Sequence, residues 1–322
     1  MKRIIVLFLL LSTPACFSQF NMKLFRDASE PLQEFTLSGK ESEKIVLIPV
    51  TGTIDNQPSQ GWMSRTPGTV QETVAHLKKA RADSEVKALL IEIDSPGGSV
   101  TASDILHREI TAFRKLRPDV KVVAVMMDTA ASGGYYIAAA CDAIVAHPTT
   151  VTGSIGVIFM RADISGLLDM IGARAVVNKS GEFKDMGSPF REPTAEETQV
   201  FQQMIDEYYE RFVTVVAEGR GMSRDKVKSM ADGRIYTGEQ ALELGLVDQV
   251  GYIGDAVKEA RSQAKLSQDA RVVVYRRTLF HDDNEYNTAT VQGGEKPLMD
   301  LGLDGYLPEL KTGFYYLWMP QR

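Results

Sequence analysis

Lys121-Val-Val-Ala-Val-Met-Met-Asp-Thr-Ala-Ala-Ser-Gly-Gly-Tyr-Tyr-Ile-Ala-Ala-Ala-Cys141 changes character halfway along. Lys121 to Met127 is rich in residues that suit a buried strand, and the stretch after Ser132 is small, apolar and helix-permissive. The spacing predicts a strand, a sharp turn, and a short helix beginning at or just after Ser132. Gly133 and Gly134 let the backbone approach a ligand closely and leave amide groups unpaired at the helix start. A hydroxyl there sits where developing negative charge is favoured. Serine is also a preferred helix N-cap. On this stretch alone, Ser132 reads equally as a nucleophile or as a cap.

The same alternation extends outward in both directions. Lys44-Ile-Val-Leu-Ile-Pro-Val50 is an opening strand, and Thr69 to Ala82 reads as a helix. Val86-Lys-Ala-Leu-Leu-Ile-Glu-Ile93 is apolar enough to be central. It runs into Asp94-Ser-Pro-Gly-Gly-Ser-Val100, after which Ile105, Leu106, Ile110 and Phe113 mark one face of a helix. Ala143-Ile-Val-Ala146 is a further strand. Strands separated by helices pair in parallel through right-handed crossovers, so the fold class is α/β.

Composition excludes several functions. Hydrophobic residues make up 44% of the 322 and charged residues 24%, ordinary for a globular core. The net charge of −6 leaves no basic footprint for nucleic acid. His76, His107, His147 and His281 are scattered, and there is no His-Glu-x-x-His or Cys-x-x-Cys. No metal or cofactor is expected.

Further stretches carry chemistry. In open α/β sheets ligands bind beyond the carboxyl ends of strands. An amide from Asp94-Ser-Pro-Gly-Gly98, together with that of Gly133, would suit an oxyanion there. The same Pro-Gly-Gly would also serve a plain strand-to-helix turn. Thr152-Gly-Ser-Ile-Gly-Val-Ile158 follows. A strand is expected at Ala173-Arg-Ala-Val-Val177, then a long loop holding Lys179 and Lys184 among Phe183, Met186 and Phe190.

Asp-Ser-Pro-Gly-Gly, Ala-Ser-Gly-Gly-Tyr-Tyr, Thr-Gly-Ser-Ile-Gly and Gly-x-x-Lys-Asp occur in that order. They are completed by Gly233-Arg-Ile-Tyr-Thr-Gly-Glu-Gln-Ala-Leu-Glu-Leu-Gly-Leu-Val-Asp248, expected as a helix, turn and strand. From Lys44 to Ala264 the chain resembles the bacterial signal peptide peptidase A family in its short, single-domain form. The resemblance implies a Clp-protease/crotonase fold of repeated β-β-α and βαβ units with a largely parallel sheet and C-terminal helices. It implies serine endopeptidase activity on signal peptides or other membrane-derived peptides. Carried over by motif, Ser132 is the nucleophile, Lys184 the general base and Ser154 the residue that orients the base. Gly98 and Gly133 supply the oxyanion hole, Gly97 being the alternative to Gly98. The family's closed rings imply a homo-oligomer in which one chain's Lys184 reaches the next chain's Ser132.

The dyad makes a physical demand. An ordinary lysine, with a pKa near 10.4, is almost wholly protonated at pH 7. Serving as a base requires burial worth roughly 3–4 kcal/mol, which an apolar pocket can supply. The rival base is His147, but no Gly-x-Ser-x-Gly elbow accompanies it, and a strand-end structural role fits it better. Tyr135 and Tyr136 read equally as pocket wall or as packing.

The remaining segments frame the domain. Lys2 and Arg3 precede the apolar run Ile4 to Leu11 and small residues, so residues 1–16 read as an export signal. Cys16 leaves open a lipoprotein signal, and both readings place the protein in the bacterial envelope, on the periplasmic side against the inner membrane. Residues 17–43 read as an arm, 44–278 as the peptidase domain and 279–322 as a tail with an apolar tip, suited to docking or disorder. Cys141 reads as a small buried hydrophobe. Thr194 and Glu197 form a capping box, and Phe201, Met204, Ile205, Tyr208, Phe212, Val215 and Val216 stripe a long helix ending at Gly219. The alternatives to a peptidase are a crotonase-like acyl-CoA enzyme using the same oxyanion hole and an inactive envelope scaffold.

Overall fold

The computed structural model describes residues 30–60, 65–290 and 312–319. The export signal read in residues 1–16, Cys16 included, lies outside them. The chain opens with β1 (Gln33–Ser38), β2 (Lys44–Thr51) and a ribbon of β3 (Ser59–Gln60) and β4 (Arg65–Thr66). Then come α1 (Thr69–Arg81), β5 (Val86–Ser95), β6 (Gly97–Ser99), α2 (Val100–Leu116), β7 (Lys121–Ala131), α3 (Gly133–Ala138) and β8 (Ala143–Ala146). β9 (Val151–Gly153), β10 (Ile158–Met160), α4 (Ser165–Ile171), a 3-10 turn (Glu182–Asp185), α5 (Ala195–Arg220) and α6 (Arg224–Lys228) follow. β11 (Ile235–Thr237), α7 (Gly238–Leu244), β12 (Gln249–Val250), α8 (Ile253–Ala264), β13 (Arg271–Arg276) and β14 (Gly313–Leu317) complete it.

The main sheet runs β1-β13-β2-β5-β7-β8-β12, and every pair from β13 to β12 is parallel. β9 adds in parallel beyond the middle of β7, and β11 pairs antiparallel with β9. The expected α/β fold, with its largely parallel sheet and C-terminal helices, is the one observed. The central strands β2, β5 and β7 are mostly apolar because both faces are covered. Along β2, Val46 and Ile48 face a core completed by Leu77 of α1, Leu106 and Ile110 of α2 and Phe212 of α5. Ile45 and Leu47 face the other way, against Ile253, Ala256 and Ala260 of α8.

Several expectations need correcting. Ala173 to Val177 forms no strand; Val176 is 86% exposed, and no strand among the described residues pairs with this segment. The long helix passes Gly219 and ends at left-handed Gly221; Gly219 is required because a side chain would meet Ala139 O at 2.2 Å. The 233–248 stretch holds the expected helix and turn into a strand, α7 leading to β12, with the short strand β11 added before them. The segment read as an arm contains β1, an edge strand antiparallel to β13, and the segment read as a tail contains β14. The Thr194/Glu197 capping box and buried Cys141, its thiol pushed up to about 12 by burial, are as expected.

Glu92 interrupts the apolar run of β5. It is 2% exposed, its Oε2 has no hydrogen-bond partner, and burial pushes its carboxyl up to about 7 despite the attraction of Arg276. A carboxyl raised on folding binds its proton better in the folded state, so stability should fall as pH rises from about 4.5 to 7 and level off above. Glu92→Gln should remove that slope, and at pH 8 it should raise stability by about 3 kcal/mol. Urea unfolding of both proteins at pH 5 and pH 8 checks this; an unchanged pH slope in the variant would overturn it.

Candidate active site

The site is built where β7 and β9 end. Their register sets Ala131 opposite Gly153, so Ser132 and Ser154 leave the sheet side by side. The amide of Ser132 donates to Gly153 O at 2.8 Å, and that of Ser154 to Arg234 O at 2.8 Å. Both serines adopt left-handed backbone, with φ of 52° for Ser132 and 48° for Ser154. Such conformations cost about 1–3 kcal/mol and persist where surrounding bonds over-determine them. The two line one cleft of about 340 Å³ with Ile155, Asp206, Tyr209 and Leu317. Ser132 occupies the cap position of α3, yet its side chain makes no capping hydrogen bond. Its hydroxyl is not spent on the helix.

Glycines crowd the same corner. A side chain on Gly133 would meet Ser103 Oγ at 2.4 Å, and one on Gly134 would meet Ser95 O at 2.7 Å. α3 can therefore start only against the β5–β6 turn. Gly97 has a φ of +102°, and its amide donates to Ser95 Oγ at 3.1 Å. The Ser95 hydroxyl donates in turn to Gly52 O at 2.5 Å. With Gly97 engaged, Gly98 becomes the stronger candidate donor from this turn. Gly133 packs against Gly97 at the first position of α3, where its amide has no intrahelical acceptor.

Lys184 is not brought to this cleft within the chain. It is exposed on the 3-10 turn and does not line the cleft beside Ser132. Lys179, the other loop lysine, is occupied: its Nζ donates to Asp185 Oδ1 and Glu182 O, both at 2.8 Å. Asp185 is shared with Arg191, and these hydrogen bonds hold its carboxyl far below the usual carboxylate range. No histidine lines the cleft. His147 contacts Thr149 Oγ1 at 2.9 Å and packs edge-on against Tyr252, a local structural role. His107, packed edge-on against Tyr136, is pushed down to about 4 by burial.

The tyrosines after Ser132 divide. Tyr135 is core, its hydroxyl donating to Leu246 O at 2.8 Å. Tyr136 donates to Asp104 Oδ1 at 2.8 Å and stacks on Tyr316 of β14, ring centres 5.0 Å apart. No motif pointed to β14 as a neighbour of the site. Its sequence, Gly-Phe-Tyr-Tyr-Leu, shows only aromatic richness, and its partners are more than 150 residues away.

A serine held on a strained turn at the carboxyl ends of parallel strands, with glycine amides around it, is the arrangement of a serine hydrolase. Comparison with known proteins narrows the class. The model of peptidase family S49 matches residues 114–267. A putative signal peptide peptidase SppA of Enterococcus faecium is 42% identical over 79% of this chain and 73% of its own length. Serine protease SPPA, chloroplastic, of Arabidopsis thaliana is 35% identical over 72% of this chain and 34% of its own length. Protease 4 of Haemophilus influenzae is 32% identical over 83% of this chain and 43% of its own length. The chain belongs to peptidase family S49 and is a serine protease. That sets aside the acyl-CoA reading.

Gly98 offers a test of the crowded turn. A methyl group there would lie 1.9 Å from Ile54 O, a backbone atom that cannot step aside. Gly98→Ala should therefore displace the β5–β6 turn and lower kcat on a peptide by at least about 100-fold, the scale of a lost oxyanion donor. Steady-state kinetics beside a circular dichroism melt will check it, and turnover within about threefold of wild type would refute it.

Proposed function

We propose that the protein is a Ser–Lys endopeptidase acting on signal peptides or other membrane-derived peptides. The observation that carries the reading is the pairing of Ser132 and Ser154 on one cleft, each on left-handed backbone, with no histidine beside them. Ser132 attacks the carbonyl carbon of the substrate. The amides of Gly98 and Gly133 hold the oxyanion, where preorganised donors are worth most. Lys184 takes the serine proton and later hands it to the leaving amine. Ser154 accepts a hydrogen bond from the lysine amine and keeps it aimed at Ser132.

The lysine comes from a neighbouring subunit in this reading. An exposed lysine is a poor base, and burial is what frees its lone pair. Around Lys184 the loop and α4 carry apolar side chains in the open, with Met170 82%, Ile171 65% and Phe183 47% exposed. A soluble monomer rarely leaves such a group uncovered. A ring of identical chains would cover it and bury the amine over the next Ser132. The relative named a signal peptide peptidase supports the substrate class, and the leader-like residues 1–16 support an envelope location. No helix among the described residues is long and apolar enough to cross a membrane.

Ser132→Ala and Lys184→Ala should each lower peptidase activity by about 10⁴-fold or more, and the double variant should lose little further, because the two act as one unit. Ser154→Ala should be milder. Mixing the two inactive single variants under conditions of proven subunit exchange should restore partial activity. Exchange without recovery would place both residues in one subunit. A fluorophosphonate probe should label Ser132 in the wild type; an unlabelled Ser132 would place the nucleophile on another serine.

A further inference from the structure

Two adjacent glycines leave the β5–β6 turn free to rotate its peptide planes. Gly97 and Gly98 carry no side chain to bias them, and Gly97 already stands at a φ of +102°. An oxyanion donor acts by being fixed before charge appears, and one free to rotate loses that effect. The turn therefore needs an external hold, and the segment after β2 supplies it.

Residues 52–54 run alongside the turn and take up its inward-facing groups. Ile54 N donates to Gly97 O at 2.9 Å, and Ser99 N donates to Ile54 O at 3.1 Å. Gly52 N donates to Asp94 O at 2.9 Å, which ties the same segment to the end of β5. Successive residues of an extended segment turn their backbone groups to opposite sides. Residues 97 and 99 both bond toward 52–54, so the amide of Gly98 between them is turned away.

Ser95 completes this hold with a side chain. It is 0% exposed at the end of β5, where the register sets it opposite Ala130 of β7. Its Oγ accepts from Gly97 N at 3.1 Å and donates to Gly52 O at 2.5 Å. A hydroxyl has one proton, so donation to Gly52 O leaves its lone pairs for Gly97 and fixes the direction of both bonds. Gly97 O lies 3.4 Å from the same Oγ and is served instead by Ile54 N. The backbone oxygen of Ser95 lies 2.7 Å from where a Gly134 side chain would be, so the residue also abuts the helix that follows Ser132.

We infer that Ser95 is a positioning residue of the oxyanion hole, its hydroxyl bridging Gly52 O to the Gly97 amide and so committing the Gly98 amide to the cleft. The inference rests on Ser132 as nucleophile and Gly98 as oxyanion donor. Ser95 touches no reacting atom. Without its hydroxyl the Gly97 amide loses this acceptor, the glycine peptides rotate, and the Gly98 donor is no longer held where charge develops. Ground-state binding of a peptide makes little use of that donor, so the loss falls on kcat and spares KM.

A mimic of the tetrahedral state separates this role from a merely structural one. With acetyl-Leu-Leu-leucinal, Ser132 Oγ adds to the aldehyde carbon, the serine proton passes to the general base, and the aldehyde oxygen becomes an oxyanion. Acetyl-Leu-Leu-leucinol has the same side chains and forms none. Calorimetric dissociation constants for both are measured on wild type, Ser95→Ala and Ser95→Cys, beside peptide kinetics and a circular dichroism melt. Wild type should bind the aldehyde at least about 100-fold more tightly than the alcohol. Ser95→Ala should cut that preference by about 30-fold and lower kcat to a like degree, with KM within about twofold of wild type. Ser95→Cys, whose thiol is a weak donor and acceptor, should fall between the two. A folded Ser95→Ala that weakens aldehyde and alcohol alike, or neither, would overturn the inference and leave Ser132 in place. A wild-type preference in Ser95→Cys would overturn it even where Ser95→Ala does not fold. A wild type with no preference for the aldehyde would sink the oxyanion hole and the inference together.

Discussion

The active corner depends on one backbone hydrogen bond, from Ser132 N to Gly153 O at 2.8 Å. It closes the parallel register of β7 and β9 at the point where both strands leave the sheet. Because the register places Ala131 opposite Gly153, the next residue on each strand is a serine, and the two hydroxyl-bearing turns become neighbours. A one-residue slip would swap the faces of every side chain along the strand and separate the pair. The buried parallel sheet resists such a slip, since β7 carries Val122 and Ala124 on one face and Val123 and Val125 on the other. Core packing thereby fixes a distance between two polar groups that do not belong to the core.

Around that bond the backbone is compressed to a degree that only glycine tolerates. Gly97, Gly98, Gly133 and Gly134 each face another backbone or a hydroxyl at a separation too short for a methyl group. Compression brings the β5–β6 turn against the start of α3, with the place of a Gly97 side chain 2.7 Å from the Gly133 amide nitrogen. The engagement of the Gly97 amide by Ser95 Oγ then distinguishes two adjacent glycines that look alike by composition. The left-handed serines are part of the same arrangement, with local strain offset by bonds on both sides.

The described sheet and cleft are built from one chain, and the lysine loop stands apart from the cleft. Lys184 stands exposed near exposed apolar side chains, and the Ala173 to Val177 segment, despite its β-branched character, pairs with no strand among the described residues. Both leave apolar surface in water, which the proposed ring of chains would cover. At the other side of the cleft the chain covers itself, since β14 completes the slot between β6 and β10.

Local sequence determined whatever depends on near neighbours. Apolar runs separated by helical periodicity gave the parallel α/β sheet, because strands buried on both faces are mostly apolar. Pro-Gly-Gly and Ser-Gly-Gly marked the tight turns, and Thr194 with Glu197 marked the start of α5. Tertiary structure decided what depends on distant partners. β1 reads as an irregular arm and β14 as a sticky tail because their pairing residues, on β13, β6 and β10, lie far along the chain. Gly219 looks like a helix stop until Ala139 O is found 2.2 Å from where its side chain would be. Tyr135 and Tyr136 are adjacent, alike in sequence and both fully buried, yet a helix turns consecutive side chains about 100° apart, so Tyr135 reaches Leu246 O while Tyr136 reaches Asp104 and stacks on Tyr316.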